Sequence, residues 1–217
     1  MLRLVPGVRG GGRLKLLCIG AHSDDLEIGC GGTILTWLKS MPAVEVTWVV
    51  LCAQGARASE ARLSARAMLR HAHSSNVLIA NFRDGFLPSQ YVEVKEYFES
   101  LKSQFDPDVV LTHWLQDRHQ DHRFVAELTW NTWRNHLVLE YEIPKYEGDL
   151  VTPTVYVPVP KSLVDRKLNH LQRFFSSQRS KDWFSDDTFR GLMRLRGLES
   201  RSDSGFAEGF HARKIVI

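Results

Sequence analysis

The chain has 217 residues, 43% of them hydrophobic and 24% charged, which is enough to bury a substantial core in one globular domain over residues 1–217. The 28 basic and 25 acidic residues are interspersed and leave a formal net charge of +3, which argues against a nucleic-acid-binding surface. Three cysteines without a C-x-x-C pair indicate reduced thiols that act as small buried hydrophobic residues. The first residues lack an apolar h-region, and no run of 18 uncharged apolar residues occurs, so we expect a cytoplasmic protein without a membrane span.

Apolar runs and helical patterns alternate along the first two thirds of the chain. After a Gly- and Arg-rich lead-in over residues 1–13, each apolar run has the length and continuous hydrophobicity of a strand buried on both faces. The predicted strands cover residues 14–21, 44–52, 76–82 and 108–113. One helix is predicted after each strand, over residues 26–40, 57–73, 91–105 and 121–136.

The last third of the chain is less regular. Prolines bracket residues 150–159, which predicts one or two extended segments at a sheet edge, where proline is tolerated. Helical patterns follow over residues 162–177 and 187–198. The alternation of strand and helix favours right-handed βαβ units, so we predict an α/β, Rossmann-like fold with a mostly parallel sheet and helices on both faces.

Two clusters of histidine and aspartate occur where predicted strands end. The segment GAHSDD, residues 20–25, ends the first strand, and the segment HWLQDRHQDHR, residues 113–123, begins at the end of the fourth. In open α/β sheets, ligands bind at the carboxyl ends of the strands, because the loops there vary while the scaffold holds them in place. We therefore expect the two clusters to converge on one point.

The spacing within each cluster predicts a metal site. His22 and Asp25 are three residues apart, and residues i and i+3 lie on one side where a loop enters a helix. His119 and His122 have the same spacing. Imidazole and carboxylate ligands suit Zn²⁺, and a catalytic zinc takes three protein ligands and leaves one position open for water. We predict that His22, Asp25 and His122 hold one divalent ion; Fe²⁺ is also compatible with this set.

Side chains beside these ligands are candidates for acid–base chemistry. Asp24 adjoins a ligand on the opposite side of the loop, where it could accept a proton from water as a general base. His119, as a cation, could stabilise charge on a carbonyl oxygen or protonate a leaving amine. Asp117 and Asp121 could orient His119 or a ligand histidine. Taken singly, Asp24 or Asp121 is typical of a helix N-cap, but the two clusters together favour a site.

The run GCGG at residues 29–32 is the other notable motif. It matches neither G-x-x-x-x-G-K-[ST] nor G-x-G-x-x-G, and it falls inside a predicted helix rather than before one. We interpret it as close packing of that helix on the sheet.

Both clusters resemble the motifs of a known family. AHSDDLEIGCGG at residues 21–32 resembles the AHPDD(E) signature, and DRHQDHR at residues 117–123 the HPDH signature, of the LmbE-like or PIG-L family of metal-dependent N-acetylglucosaminyl deacetylases. Similar residues recur along nearly the whole chain, at Arg57-x-x-Glu60, Asp84-Gly85, DPDVV 106–110, Tyr141-Glu142, Ser177-Gln178 and FAEGF 206–210. Ser23, Leu26 and Gln120 depart from the motifs without removing a ligand, and AQGA at residues 53–56 departs from the family's T-[ND]-G-E.

The resemblance implies a fold, a reaction and a set of residue roles. It implies a Rossmann-like domain that removes acetyl groups from N-acetylglucosamine units on inositol, lipid, malate or antibiotic scaffolds. It implies the roles that the spacing predicts: zinc on His22, Asp25 and His122, general base Asp24, and His119 assisting the oxyanion and the leaving amine, with Asp121 tuning His119. A substrate contact is implied for Arg57.

The leading expectation is a zinc-dependent N-deacetylase acting on a small amino-sugar conjugate, in a monomer or a homo-oligomer. Trp114, an aromatic residue beside the site, could stack on the sugar ring, whereas Trp130 and Trp133 have the helical spacing of core residues. A non-haem iron oxygenase could use the same His–Asp–His set, but it would give Asp24 no function. A non-catalytic sugar-binding protein of this fold would be expected to lack a base or a ligand, and here all are present.

Overall fold

A seven-stranded sheet forms the centre of the structure, a computed structural model that describes residues 12–216. The strands are β1 (Leu14–His22), β2 (Val44–Cys52), β3 (Ser74–Ile79), β4 (Val109–His113), β5 (Leu137–Tyr141), β6 (Val155–Pro158) and β7 (Ala207–His211). The α-helices are α1 (Asp25–Ser40), α2 (Gly55–Met68), α3 (Tyr91–Gln104), α4 (Gln120–Thr132), α5 (Lys161–Phe174) and α6 (Asp186–Glu199). The predicted lead-in lies almost entirely outside the described residues.

The sheet has the strand order β3-β2-β1-β4-β5-β7-β6. Strands β1 to β5 pair in parallel, and β7 runs antiparallel to both β5 and β6. From β1 the chain first builds outward through β2 and β3, then crosses to the other side of β1 for β4 and β5. This arrangement confirms the predicted fold class, and it places a topological switch point between β1 and β4, where open α/β sheets bind their ligands.

The sheet is covered on both faces, as β1 illustrates. Successive side chains of a strand point to opposite faces. Leu14, Leu16 and Cys18 pack with α1, α2, α5 and α6, whereas Leu17, Ile19 and Ala21 pack with α3 and α4. All three cysteines are buried and unbridged, as predicted. Within residues 12–216, none of the helices combines the length and apolar character needed to cross a bilayer.

Several predicted elements need correction. β3 is an edge strand whose residues are exposed or half-buried, so the prediction of burial on both faces is wrong there. α2 ends at Met68 rather than at residue 73. The helix predicted over residues 121–136 ends at Thr132, and the short apolar run after it forms β5. The sequence did not predict this strand, because five residues are too few to show the period of a strand. The extended segment at the sheet edge is confirmed by β6.

β7 has no strand signal because Glu208 and Gly209 are residue types depleted in strands. The buried Glu208 carboxylate is satisfied by groups remote in sequence. It accepts hydrogen bonds from the backbone N–H groups of Gly32 and Thr33 at 2.8 and 2.6 Å, and it pairs with the buried Lys167 ammonium at 2.6 Å. Such long-range compensation cannot be read from the local pattern of residues.

The glycines of α1 pack closely on the sheet, as the GCGG run predicted. A Cβ atom added at Gly29 would lie 2.2 Å from Cδ2 of the Tyr141 ring. That ring cannot easily yield, because it is fully buried and its hydroxyl donates a hydrogen bond to the Ile19 carbonyl at 2.8 Å. The atom nearest to a Cβ at Gly31 would be the flexible end of Met68, at 3.5 Å, which is an ordinary van der Waals contact.

We therefore expect opposite effects from two alanine substitutions in the same helix. Gly29→Ala should lower the free energy of unfolding by about 2 kcal/mol, because overpacking forces the helix off the sheet. Gly31→Ala is the matched control and should leave stability unchanged or raise it by up to about 1 kcal/mol through helix propensity. Urea unfolding followed by circular dichroism measures both. Equal effects of the two substitutions would contradict the close contact at Gly29.

Candidate active site

The two histidine–aspartate clusters meet at the carboxyl ends of β1 and β4. These strands pair with Leu16 opposite Val109 and Cys18 opposite Leu111, so their last residues lie side by side. The Ala21 N–H donates a hydrogen bond to Nε2 of His113, the last residue of β4, at 3.0 Å. α1 begins three residues after His22 and α4 seven residues after His113, so both helices carry side chains back over this edge.

The three predicted metal ligands lie together at this edge. Nδ1 of His22 is 3.1 Å from Nε2 of His122, and these nitrogens are 3.4 and 3.6 Å from the carboxylate oxygens of Asp25. Two ligands of one tetrahedral zinc, each about 2.05 Å from the ion, are about 3.3 Å apart. The spacing of the three groups therefore fits a single ion of this size.

Each histidine of this set turns its other nitrogen to a carboxylate. Nε2 of His22 lies 3.2 Å from carboxylate oxygens of both Asp121 and Asp84. Nδ1 of His122 lies 3.0 Å from Asp117, which also pairs with the Lys145 ammonium at 3.0 Å. A carboxylate behind each imidazole fixes the tautomer whose lone pair faces the shared point, as in most protein metal sites.

Electrostatics at this point favour a cation. Burial lowers the pKa of His22, but Asp25, Asp121 and Asp84 outweigh it and raise that pKa well above its usual value. Burial and the neighbouring His113 lower the pKa of His122 to about 3, so this imidazole is neutral and has a free lone pair. A spot that stabilises positive charge beside a neutral imidazole suits a divalent metal ion.

Further potential ligands surround the predicted set. His119 with His22 and His122, and His113 with Asp25 and His122, also form triads whose ligand atoms lie within 4.8 Å of one another. Cys52 forms another with His22 and Asp121. His113 Nε2 accepts the hydrogen bond of the Ala21 N–H and lies 3.1 Å from Asp25 Oδ2, so it is already occupied and is a close neighbour of that carboxylate.

Asp24 is buried beside this cluster and has one free oxygen. Its Oδ1 lies 3.4 Å from the Arg57 guanidinium, and its Oδ2 makes no hydrogen bond to any residue in the range 12–216. Asp24 is the N-cap residue of α1, but its side chain makes no capping hydrogen bond, so the helix end does not occupy its carboxylate. Burial first, and then the neighbouring Asp25 carboxylate, raise the pKa of Asp24 to about 6.

The carboxylate of Asp121 does not contact the imidazole of His119, as the predicted pairing of these two residues would require. His119 is the N-cap of α4, where its Nδ1 accepts a hydrogen bond from the Asp121 backbone N–H at 3.3 Å. The Asp121 carboxylate instead faces His22 and accepts from the N–H groups of Gly85 and Leu87 at 2.7 and 3.1 Å. Burial and then His22 lower the pKa of His119, so it is a neutral imidazole near pH 7 rather than the expected cation.

The predicted substrate contacts, Arg57 and Trp114, lie at this edge of the sheet. Arg57 bridges Asp24 and Asp84, with a distance of 2.7 Å to the latter. The Trp114 ring is half-buried and stacks on His211, with centroids 4.8 Å apart, which covers one of its faces. Trp133 is fully buried in the core and Trp130 packs against it, in agreement with the helical spacing.

Three residues at the site were not assigned a role from the sequence. Asp84 follows β3 as Asp24 and Asp25 follow β1. Because ligands bind at the carboxyl ends of strands in such sheets, its position in the sequence could have identified it. His113 is a histidine inside a fully buried strand, which is an unusual position and a usable signal. Lys145 lies in an irregular loop and carries no local signal.

Comparisons with solved structures show where this fold occurs. The chain is 21% identical to the N,N'-diacetylchitobiose deacetylase from Pyrococcus horikoshii, with a TM-score of 0.64 over 91% of this chain and 83% of that one. It is 18% identical to a teicoplanin deacetylase solved in a zinc-inhibited form, with a TM-score of 0.70 over 91% and 97%. It is 17% identical to the 4-carboxy-2-hydroxymuconate hydratase from Pseudomonas putida KT2440, with a TM-score of 0.69 over 94% and 98%. Identities this low establish the shared fold alone.

A family model gives the more specific result. The model for PIG-L, described as GlcNAc-PI de-N-acetylase, matches residues 17–133, which is more than half of the chain. The match contains both histidine–aspartate clusters, all of β4 and the part of β1 from Leu17 onward. The chain therefore belongs to the PIG-L family of de-N-acetylases.

Proposed function

We propose that this protein is a zinc-dependent hydrolase that removes the acetyl group from an N-acetylated amino sugar, an N-acetylglucosamine conjugate. Family membership supports the deacetylase class. The observation that carries the proposal is the convergence of His22, Asp25 and His122 within 3.1 to 3.6 Å of one another, beside a buried carboxylate with a free oxygen. A non-catalytic protein would have no use for that last group.

His22, Asp25 and His122 would hold the ion. A zinc ion in that position acts as a Lewis acid, which makes water more acidic and polarises an acyl oxygen. Asp117 and Asp121 keep the two imidazoles in the orientation and tautomer that metal binding requires. The backbone N–H of His22 donates a hydrogen bond to Asp25 Oδ2 at 2.6 Å, which fixes the orientation of that carboxylate as well.

Asp24 has the properties of a general base. Its free Oδ2 can take the proton of a water molecule as that water attacks the acetyl carbon. Its pKa of about 6 lies closer to neutral pH than that of an ordinary aspartate, which suits proton transfer there. Arg57 beside Oδ1 holds the carboxylate in place and leaves Oδ2 available.

His119 can serve the other half of the reaction. Because its Nδ1 accepts from the backbone, its proton sits on Nε2 in the neutral form. From there it can donate a hydrogen bond to the oxygen of the tetrahedral intermediate. The leaving nitrogen takes the proton that Asp24 removed from the water, so the proton transfers balance on that carboxyl group. The bond to the sugar nitrogen breaks, and acetate and the free amine are released.

Substrate contacts are proposed for Arg57 and Trp114. The Arg57 side chain is partly exposed and can bind sugar hydroxyl groups while it remains near Asp24. Trp114 can stack on a sugar ring only with the face that His211 does not cover.

The reaction is tested by product analysis. The purified protein is incubated with methyl N-acetylglucosaminide and related conjugates, with and without chelator. Acetate and free amine are both measured, and deacetylation releases them in equal amounts. We expect both products, loss of both after chelation, and recovery on addition of Zn²⁺. A protein that shares the fold but acts as a hydratase would release neither, and activity that survives complete metal removal would contradict the metal-dependent mechanism.

The ligand assignment predicts different outcomes for two neighbouring histidines. His122→Ala should lose bound zinc, because a third of the ligand set is gone. His119→Ala should keep about one zinc per chain yet lose most activity. Zinc content after dialysis is measured by mass spectrometry, with His136→Ala as a control, since His136 pairs with Asp106 elsewhere. Normal zinc content in His122→Ala, or its loss in His119→Ala, would reverse the assignment.

The role of Asp24 predicts a loss of rate without a loss of metal. Asp24→Asn keeps the size of the side chain but cannot accept the proton, so kcat should fall by about 100- to 10,000-fold. Zinc content and the melting temperature should stay close to those of the unaltered protein. Retained kcat would show that another group is the base.

A further inference from the structure

A groove between α1, α2 and α5 lies at the other end of α1 from the candidate active site. Its volume is about 270 Å³. α1 rises about 1.5 Å per residue, so Lys39 at the groove lies about 20 Å along the helix from Asp25. The groove is therefore separate from the proposed catalytic residues, and an inference about it does not depend on the proposed function.

The groove has an apolar floor and a basic rim. Buried Leu35, Met68 and Leu163 form the floor, one side chain from each helix. Lys39, His71 and Arg166 form the rim, and each follows a floor residue by three or four positions. In α1 and α5 this spacing places the apolar and the basic side chain on one face of the helix. His71 lies in the turn after α2 ends at Met68 and reaches the groove from there.

The positive charge at the rim has no acidic partner within residues 12–216. None of the described residues that line the groove is a carboxylate. Arg70 Nε donates to His71 Nε2 at 2.9 Å, which brings a further cation to the same end. Burial first, and then this Arg70, lower the pKa of Arg166, and no acidic group of the described part of the chain counteracts them. Burial first, and then Arg166 and Arg173, lower the pKa of His170 to about 4.

Helix dipoles stabilise only some of these cations. Lys39 is in the last turn of α1, where a cation is favoured. Arg166 is in the first half of α5 instead, where a cation gains nothing from the dipole. A half-buried guanidinium held beside another cation, above an apolar surface, is a group that an anionic ligand would stabilise.

We propose that this groove binds the anion of a medium-chain fatty acid, with the chain on the leucine and methionine floor and the carboxylate at Arg166 and Lys39. A methylene group and a water molecule occupy similar volumes, about 30 Å³ in the liquid, so the groove accepts a chain of roughly eight to ten carbons. The apolar floor recognises the chain, and the unpaired cations recognise the head group.

Decanoate, titrated below its micelle concentration in a calorimeter, is the probe. We expect one binding site per chain. Hexanoate, with four fewer methylene groups, should bind about 200-fold more weakly at about 0.8 kcal/mol per methylene. Decylammonium has the same chain and the opposite charge, and it should not bind.

Arg166→Gln locates the site. It should raise the Kd of decanoate about tenfold, because the carboxylate loses its charged hydrogen-bond partner. Lys102→Gln, which removes a cation from α3 on the opposite face of the sheet, is the matched control and should leave Kd unchanged. An unchanged melting temperature in both variants shows that folding is not at issue.

Three results would overturn the proposal. Equal affinity for decanoate and decylammonium would mean that the rim charge plays no part. Equal effects of Arg166→Gln and Lys102→Gln would place binding elsewhere. Binding to vesicles of anionic phospholipid without any binding of decanoate would mean that this face meets a membrane surface instead.

Discussion

Strands β1 and β4 pair in parallel at the centre of the sheet, and the two halves of the candidate active site lie at their carboxyl ends. His22 ends β1, and His122 is carried on α4, just beyond β4. The Ala21 N–H bond to His113 joins the two strand ends directly. Because this pairing sets the separation of the histidines, the ligand geometry depends on the central scaffold rather than on flexible loops.

The buried carboxylates of the site also organise the surrounding loops. Asp121 binds both His22 and the backbone of residues 85 and 87. On the other side, Asp117 binds His122 and Lys145, and Lys145 also pairs with Asp149. An isolated buried carboxylate is costly, whereas these are satisfied by imidazoles, ammonium groups and backbone N–H groups. Substitution of Asp117 or Asp121 therefore affects a loop and a histidine together.

The parts of this structure that the sequence predicted are those with a local cause. Continuous apolar runs predict β1, β2 and β4, and the tendency of ligands to bind at strand ends predicts that His22 and His122 meet. β7 and the orientation of Asp121 depend on non-local contacts. Glu208 fits a buried strand only because Lys167 and the backbone of α1 meet it, and Asp121 faces His22 rather than His119 because of how α4 packs against β1.

The charge states at the site likewise depend on contacts that are not local in sequence. The sequence placed His119 near the reacting groups but could not predict its protonation, since burial and the nearby His22 together keep it neutral. The raised pKa of Asp24 likewise depends on burial that only the folded chain provides. Residue type and spacing thus indicate the candidates, and packing determines the protonation state of each.

Anomalous scattering at the zinc edge, from a crystal grown with Zn²⁺, would locate the ion. We expect one strong peak within bonding distance, about 2.0 to 2.2 Å, of His22 Nδ1, His122 Nε2 and an Asp25 oxygen. A peak at Cys52 instead, or none between His22 and His122, would contradict this ligand assignment.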